Sequence, residues 1–172
     1  GIVPAGSRCA DVIGHLDLFA TMAEILGAPL PANAAEDSSS LLPLFRGQPA
    51  PAARRRSLVH HSSEGEFAIR EGDWKLILCP GSGGWSPPTK VPSPWTQPKP
   101  DNFDGLPPFQ LYHLGNDPKE TTNLADRHPE VVARLGRLMR ETIERGRSTP
   151  GPVQPYEKAG WPQTAWMSRF GP

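Results

Sequence analysis

The 172-residue sequence has no excess of either charge. Eighteen Lys and Arg balance 18 Asp and Glu, so the formal net charge is +0. That argues against a nucleic-acid binder, which gathers a basic excess on one face. The only dense basic run, Arg54-Arg55-Arg56, reads as a solvated loop before a strand. No apolar run approaches the roughly 20 residues of a membrane span. Nor is there a basic-then-apolar leader pattern at the start, and the chain opens Gly1-Ile2-Val3-Pro4 with no initiator Met, as a fragment or processed product would. The two cysteines, Cys9 and Cys79, are too few for a disulfide scaffold, and no Cys/His cluster has zinc spacing. No internal repeat is visible.

Proline and glycine are abundant, at 22 and 17 residues, and concentrate in residues 80–108 and 146–172. Those stretches read as a long loop and an extended tail. Outside them the chain has periodicity. Asp17 followed by LFATMAEIL predicts a helix with an Asp N-cap and one apolar face: Leu18, Met22 and Ile25, flanked by Phe19 and Leu26. Gly27 closes that helix, and Pro29 and Pro31 prevent its continuation. Leu41 to Phe45 fits a short helical turn closed by Gly47. Leu58-Val59-His60-His61 reads as a strand. Glu66–Arg70 and Trp74–Leu78 alternate around Glu71-Gly72-Asp73, which predicts a hairpin. Trp74 belongs in its core and Lys75 on its exposed face. Phe109 to Leu114 is again strand-like, and Asn116-Asp117-Pro118 is a turn.

His128-Pro129-Glu130 then opens a long helix. Proline at the first position loses no bonded N–H, and Glu130 sits at the positive end of the dipole. Val131, Leu135, Leu138 and Thr142 form its stripe, widened by Val132 and Met139, and Gly146 ends it. At about 17 residues it is roughly 25 Å long. Its stripe needs a surface to pack on, and an antiparallel sheet is the one available.

Composition and periodicity name no activity, but four segments resemble one family. His15–Gly27 followed by Ala28-Pro29-Leu30-Pro31 is similar to the D-L-x-x-T…G-x-x-x-P helix of type I sulfatases. Asp37–Gly47, DSSSLLPLFRG, is similar to their D-x-x-S-L-L-P-L-L-x-G segment. SEGEFAIREGDWKLIL resembles their AIRxGxWKLI hairpin. LYHLGNDPKETTNLADRHPEVVARL, Leu111 to Leu135, resembles their LYDLxxDPxExxNLAxxHPEVxxxL ending. The order and spacing also match, from Ile2 to Ser148. The resemblance implies the C-terminal portion of a formylglycine-dependent, arylsulfatase A-like enzyme of the alkaline phosphatase superfamily. The implied fold is α+β: residues 1–55 end the catalytic α/β domain, residues 56–147 form a small antiparallel sheet packed against a C-terminal helix, and residues 148–172 are an extended tail.

Such enzymes use a formylglycine made from the Cys or Ser of C/S-x-P-x-R, with a calcium ion polarising the sulfate. Here Cys9-Ala10-Asp11-Val12-Ile13 and Cys79-Pro80-Gly81-Ser82-Gly83 fail that pattern, and Ser86-Pro87-Pro88-Thr89-Lys90 ends in Lys where Arg is needed. Asp101-Asn102 is a metal-type pair by sequence only. The resemblance therefore implies no catalytic or metal-binding residue in this chain. Calcium and formylglycine belong to a preceding catalytic part, which is the expected partner, and the chain alone is expected to be inactive. The parent is expected to hydrolyse sulfate esters, on sulfated carbohydrate or an aryl sulfate, as a periplasmic or secreted enzyme. Two other readings stand beside it: a non-catalytic binding or structural module derived from a sulfatase, and a phosphatase or phosphodiesterase of the same superfamily.

Three residues are candidates for substrate contact. His60 and His61 end a strand, and successive strand residues point to opposite faces, so one at a time can face a pocket. A histidine there hydrogen-bonds a sugar hydroxyl or pairs with sulfate when protonated; alternatively both are satisfied by backbone. Trp85 lies in a glycine-rich loop, Cys79 to Ser86, where it can stack on a sugar or simply cap the sheet.

Overall fold

The computed structural model describes residues 1–51, 54, 57–62, 65–81, 105–155 and 160–171. The order of elements is α1 (Asp17–Leu26), α2 (Leu42–Phe45), β1 (Ser57–His61), β2 (Phe67–Glu71), β3 (Trp74–Ile77), β4 (Gln110–His113), α3 (Pro129–Arg145) and a 3-10 helix (Pro162–Arg169). The chain divides into two compact units. One holds Gly1–Leu58 and Glu141–Glu157, and the other Val59–Arg140 and Lys158–Pro172.

The second unit is built on a four-stranded sheet in the order β1-β2-β3-β4. The predicted hairpin forms around Gly72-Asp73, with Gly72 at φ 58, a backbone conformation that glycine adopts without strain. Ile69 pairs with Leu76, and Leu76 with Leu111, in antiparallel register. All three are fully buried, which makes this row the centre of the core. Leu135 and Met139 of α3 are buried as well. Arg134 of α3 is ion-paired with Glu71 of β2. The Trp74 ring of β3 lies edge-on to His113 at 4.8 Å and tilted against His128 at 5.1 Å, so the foot of α3 meets the sheet. The α+β architecture expected from the sequence is thus the one observed.

Lys75 is not on a free exposed face. Its Nζ lies 2.6 Å from Glu120 Oε1, with both side chains mostly covered. Glu120 reaches it from a left-handed backbone, φ 55. The turn before it is built by Asp117, whose carboxylate accepts from Thr121 N at 2.7 Å, Thr122 N at 2.9 Å and Thr121 Oγ1 at 3.0 Å. Those bonds, Thr122 N foremost, hold the Asp117 carboxyl below its ordinary value of 3.8. Asn123 ties the same segment to β4: it accepts from Leu111 N at 3.0 Å and donates to Phe109 O at 3.1 Å.

The tail is not simply extended. Residues 162–169 form the 3-10 helix, and Trp166 and Phe170 are buried. The Phe170 ring lies on Gly136 of α3, where a Cβ would collide with it, and against Phe109 at 5.2 Å and Trp166 at 6.0 Å. Arg140 holds the turn by donating to Phe170 O at 2.8 Å. Aromatic burial and one charged donor overcome a segment with no apolar period.

In the first unit, Asp17 is the first helical residue of α1 and not its N-cap, which is Leu16. The Asp17 carboxylate is fully buried and accepts from Gly14 N at 2.9 Å and Ser39 N at 3.0 Å, with Arg54 Nη2 at 3.5 Å. Thr21 donates to Asp17 O at 2.6 Å and accepts from Leu41 N at 2.9 Å. Residues 147–154 are pinned to the loop after α1. The buried Arg147 guanidinium donates to Ala32 O at 3.2 Å, Pro152 O at 3.0 Å and Thr149 O at 3.0 Å. Thr149 N in turn donates to Glu36 O at 3.2 Å.

Candidate functional site

Strand β1 carries both candidate histidines to its end, where Ser62 begins a tight turn. Ser62 N donates to Glu66 O at 2.9 Å, Gly65 N donates to Ser62 O at 3.0 Å, and Glu66 N donates to Ser62 Oγ at 3.2 Å. His61 is exposed and His60 half-buried, at the open end of a strand whose burial falls from Ser57 outward. His61 Nδ1 lies 2.8 Å from Ser62 O. A carbonyl oxygen accepts only, so Nδ1 carries the proton and Nε2 is left as an acceptor in the neutral ring. The arrangement offers a sugar hydroxyl an acceptor and, on protonation, offers an anion a donor. Trp85, the third candidate, lies outside the described residues, as do Lys90, Asp101 and Asn102. The start of its loop is described: Gln110 Nε2 donates to Cys79 O at 3.1 Å and also to Gly81 O.

The structure brings to this turn residues that periodicity did not single out. Gln163 lies 3.6 Å from the position of a Cβ on Gly65. The half-exposed Trp161 ring runs parallel to Phe67, at 6.5 Å and 6°. An open depression of about 530 Å³ continues beside them, lined by Glu66, Gln163, Trp166, Phe109 and Arg169. The Arg169 guanidinium stands 5.6 Å over the Phe109 ring. Only the clustering of aromatics in residues 156–170 hinted at this; their partners are nearly a hundred residues away in sequence. Among the described residues no group of three or more His, Cys, Asp or Glu is placed to hold a metal ion. Nor is any described helix long and apolar enough to cross a membrane.

The fold is that of a sulfatase segment. A solved sulfatase structure from a Bacteroides thetaiotaomicron locus for metabolism of multiple glycosaminoglycans superposes with a TM-score of 0.53 at 30% identity, over 73% of this chain and 24% of that one. The crystal structure of Ps i-CgsB in complex with k-i-k-neocarrahexaose shares the fold with a TM-score of 0.56 at 20% identity, over 89% of this chain and 29% of its own. No protein-family model matches. Among curated proteins, an N-acetylgalactosamine-6-O-sulfatase of Bacteroides thetaiotaomicron is 35% identical over 130 residues, 74% of this chain and 23% of the relative. Human arylsulfatase A is 33% identical over 137 residues, 74% of this chain and 26% of its own. The chain belongs to the sulfatase family. It spans about a quarter of the length of the curated relatives it matches.

Proposed function

We propose that this chain is the C-terminal part of a sulfatase that hydrolyses sulfate esters of a sulfated carbohydrate or an aryl sulfate. In that enzyme it supplies the subdomain beside the active site and no catalytic group. The observation that carries the reading is the 35% identity to the N-acetylgalactosamine-6-O-sulfatase over 74% of this chain but 23% of that enzyme. The formylglycine motif is not in this sequence, so the preceding polypeptide supplies formylglycine and calcium, and the parent is periplasmic or secreted. Of the two strand-end histidines, His61 is the substrate contact, with Nε2 the accepting atom.

The test is to read the frame upstream of Gly1 and assay both products. A continuous frame containing C-x-P-x-R or S-x-P-x-R, sulfate release by the whole enzyme, and none by the 172-residue chain are expected. Sulfate-ester turnover by the isolated chain would overturn the reading, as would an upstream frame lacking the motif.

A further inference from the structure

The depression beside the strand-end turn is built largely by the tail, and its lining is chemically mixed. Its volume of about 530 Å³ falls inside the roughly 300–1,000 Å³ of small-ligand sites. Phe109, Pro162 and Trp166 give it apolar walls, while Glu66, Gln163 and Arg169 give it polar ones. A second depression of about 230 Å³ adjoins it, and Pro108, Phe109 and Arg169 line both. Arg169 therefore stands between two hollows, which suits an extended ligand better than a compact one.

Three groups there keep unused binding capacity. The Arg169 side chain is exposed, and its guanidinium stands 5.6 Å over the Phe109 ring. That contact orients the planar fork. Among the described residues no carboxylate is ion-paired with it. Trp161 is 51% exposed, although its ring is held parallel to Phe67. Trp166 is buried in the wall, and its indole N–H has no acceptor among the described residues. A buried donor in that state is an exception that a ligand oxygen or a water resolves.

These groups match one ligand chemistry. A pyranose ring has an apolar C–H face for an indole. Its rim of hydroxyls suits an amide and a carboxylate such as Gln163 and Glu66. A sulfate on the ring takes the guanidinium fork in two parallel bonds. A bare anion would leave Trp161 idle, and it would meet the Glu66 carboxylate in one hollow and that of Asp126 in the other. A neutral sugar would leave Arg169 idle.

We propose that Trp161, Gln163, Trp166 and Arg169 of the tail, with Phe109, form a binding site for a sulfated sugar residue within a carbohydrate chain. Its ligand class rests on the sulfatase reading proposed above and narrows it, from sulfate esters at large to sulfated carbohydrate.

The experiment titrates the isotope-labelled 172-residue chain with three probes and follows the Trp indole N–H signals by NMR. The probes are a 6-O-sulfated tetrasaccharide of neutral galactose units, the same tetrasaccharide desulfated, and inorganic sulfate. The sulfated sugar should shift the Trp161 and Trp166 signals and bind at least about threefold more tightly than the desulfated one, the gain an exposed ion pair supplies. Arg169→Gln should abolish that preference, and added salt should shrink it. Trp161→Ala should weaken both sugars about fivefold. Inorganic sulfate should leave the Trp161 signal in place. Both substituted side chains are exposed, so the dispersed spectrum of the folded chain should persist. Indole signals that stay still under millimolar sugar would overturn the inference. So would equal affinity for the two sugars, or a preference that survives R169Q. Inorganic sulfate that binds as tightly as the sulfated sugar would reduce the site to an anion contact and overturn it too. Failure of the sulfatase reading is separately visible, since an upstream frame without C-x-P-x-R or S-x-P-x-R leaves this titration unchanged.

Discussion

Gly136 in the middle of α3 offers a severe test of the packing described above. On sequence alone, Gly136→Ala should stabilise the helix, by about 1 kcal/mol from propensity. The structure reverses the sign. A Cβ at Gly136 would come within 3.0 Å of three atoms of the Phe170 ring, a separation real Cβ atoms essentially never show. That ring is not a loose side-chain end. It is buried, backed by Phe109 and Trp166, and its backbone carbonyl is held by Arg140. Overpacking of this kind costs about 1–3 kcal/mol. Set against the propensity gain, the net expectation is a loss of about 1 kcal/mol, or roughly 5 °C in Tm for a unit of this size.

Chemical denaturation with the Trp fluorescence of the 166 region as probe measures it. A cycle with Phe170→Leu isolates the cause. Shrinking the ring should make G136A less harmful, giving a coupling of about 1 kcal/mol in favour of the double variant. A G136A chain that is more stable than wild type, or a cycle with no coupling, would refute the placement of the tail on α3.

Four other outcomes follow from the polar network. Thr21→Val should destabilise by about 1–3 kcal/mol, because Leu41 N is left buried without an acceptor; urea midpoints check it. The Asp117 carboxyl should titrate below 3.8 by carbon-detected NMR, with Thr122 N as the first cause. A depressed carboxylate contributes stability that is present above its unfolded value and lost as pH falls through the folded one. The loss should therefore begin as the medium drops below the ordinary carboxylate range and be absent in Asp117→Asn. Tyr112 is pushed above its usual 10.0 by burial, then by the charges of Glu120 and Asp117. Its ultraviolet titration should come late, and Glu120→Gln should bring it down. In the full-length parent, His61→Ala should raise KM about five- to tenfold with kcat little changed, as the loss of one neutral hydrogen bond to bound sugar would. A fall in kcat at constant KM would place His61 in the chemistry instead.

Much of the second unit was legible in one dimension. The Glu71-Gly72-Asp73 turn, the alternation on either side of it and the Pro129-to-Gly146 helix are local signals, and each states its own period and its own stop. The sulfatase family was legible too, because LYHLGNDPKETTNL joins a strand, an Asp-Pro turn and a helix approach in fixed order. The candidate site was legible only as two histidines at a strand end. That Trp161 and Gln163 reach the same turn was not, since nothing in a Pro- and Gly-rich tail states where it docks.

The sequence by itself determined the two long helices, the hairpin, their closing glycines and the family, though not the 3-10 helix of the tail, because backbone hydrogen bonding and steric preference act between residues a few positions apart. Only the tertiary structure decided which face of each helix turns inward. In α3 the apolar stripe won. In α1 a buried Asp17 and Thr21, with donors from residues 14, 39 and 41, outweighed a stripe of five large apolar side chains. The physical reason is that an unpaired buried carboxylate costs more than exposed hydrocarbon. Gly14 N is a local donor, but Ser39 N and Leu41 N come from a loop some twenty residues distant, which no local pattern could announce.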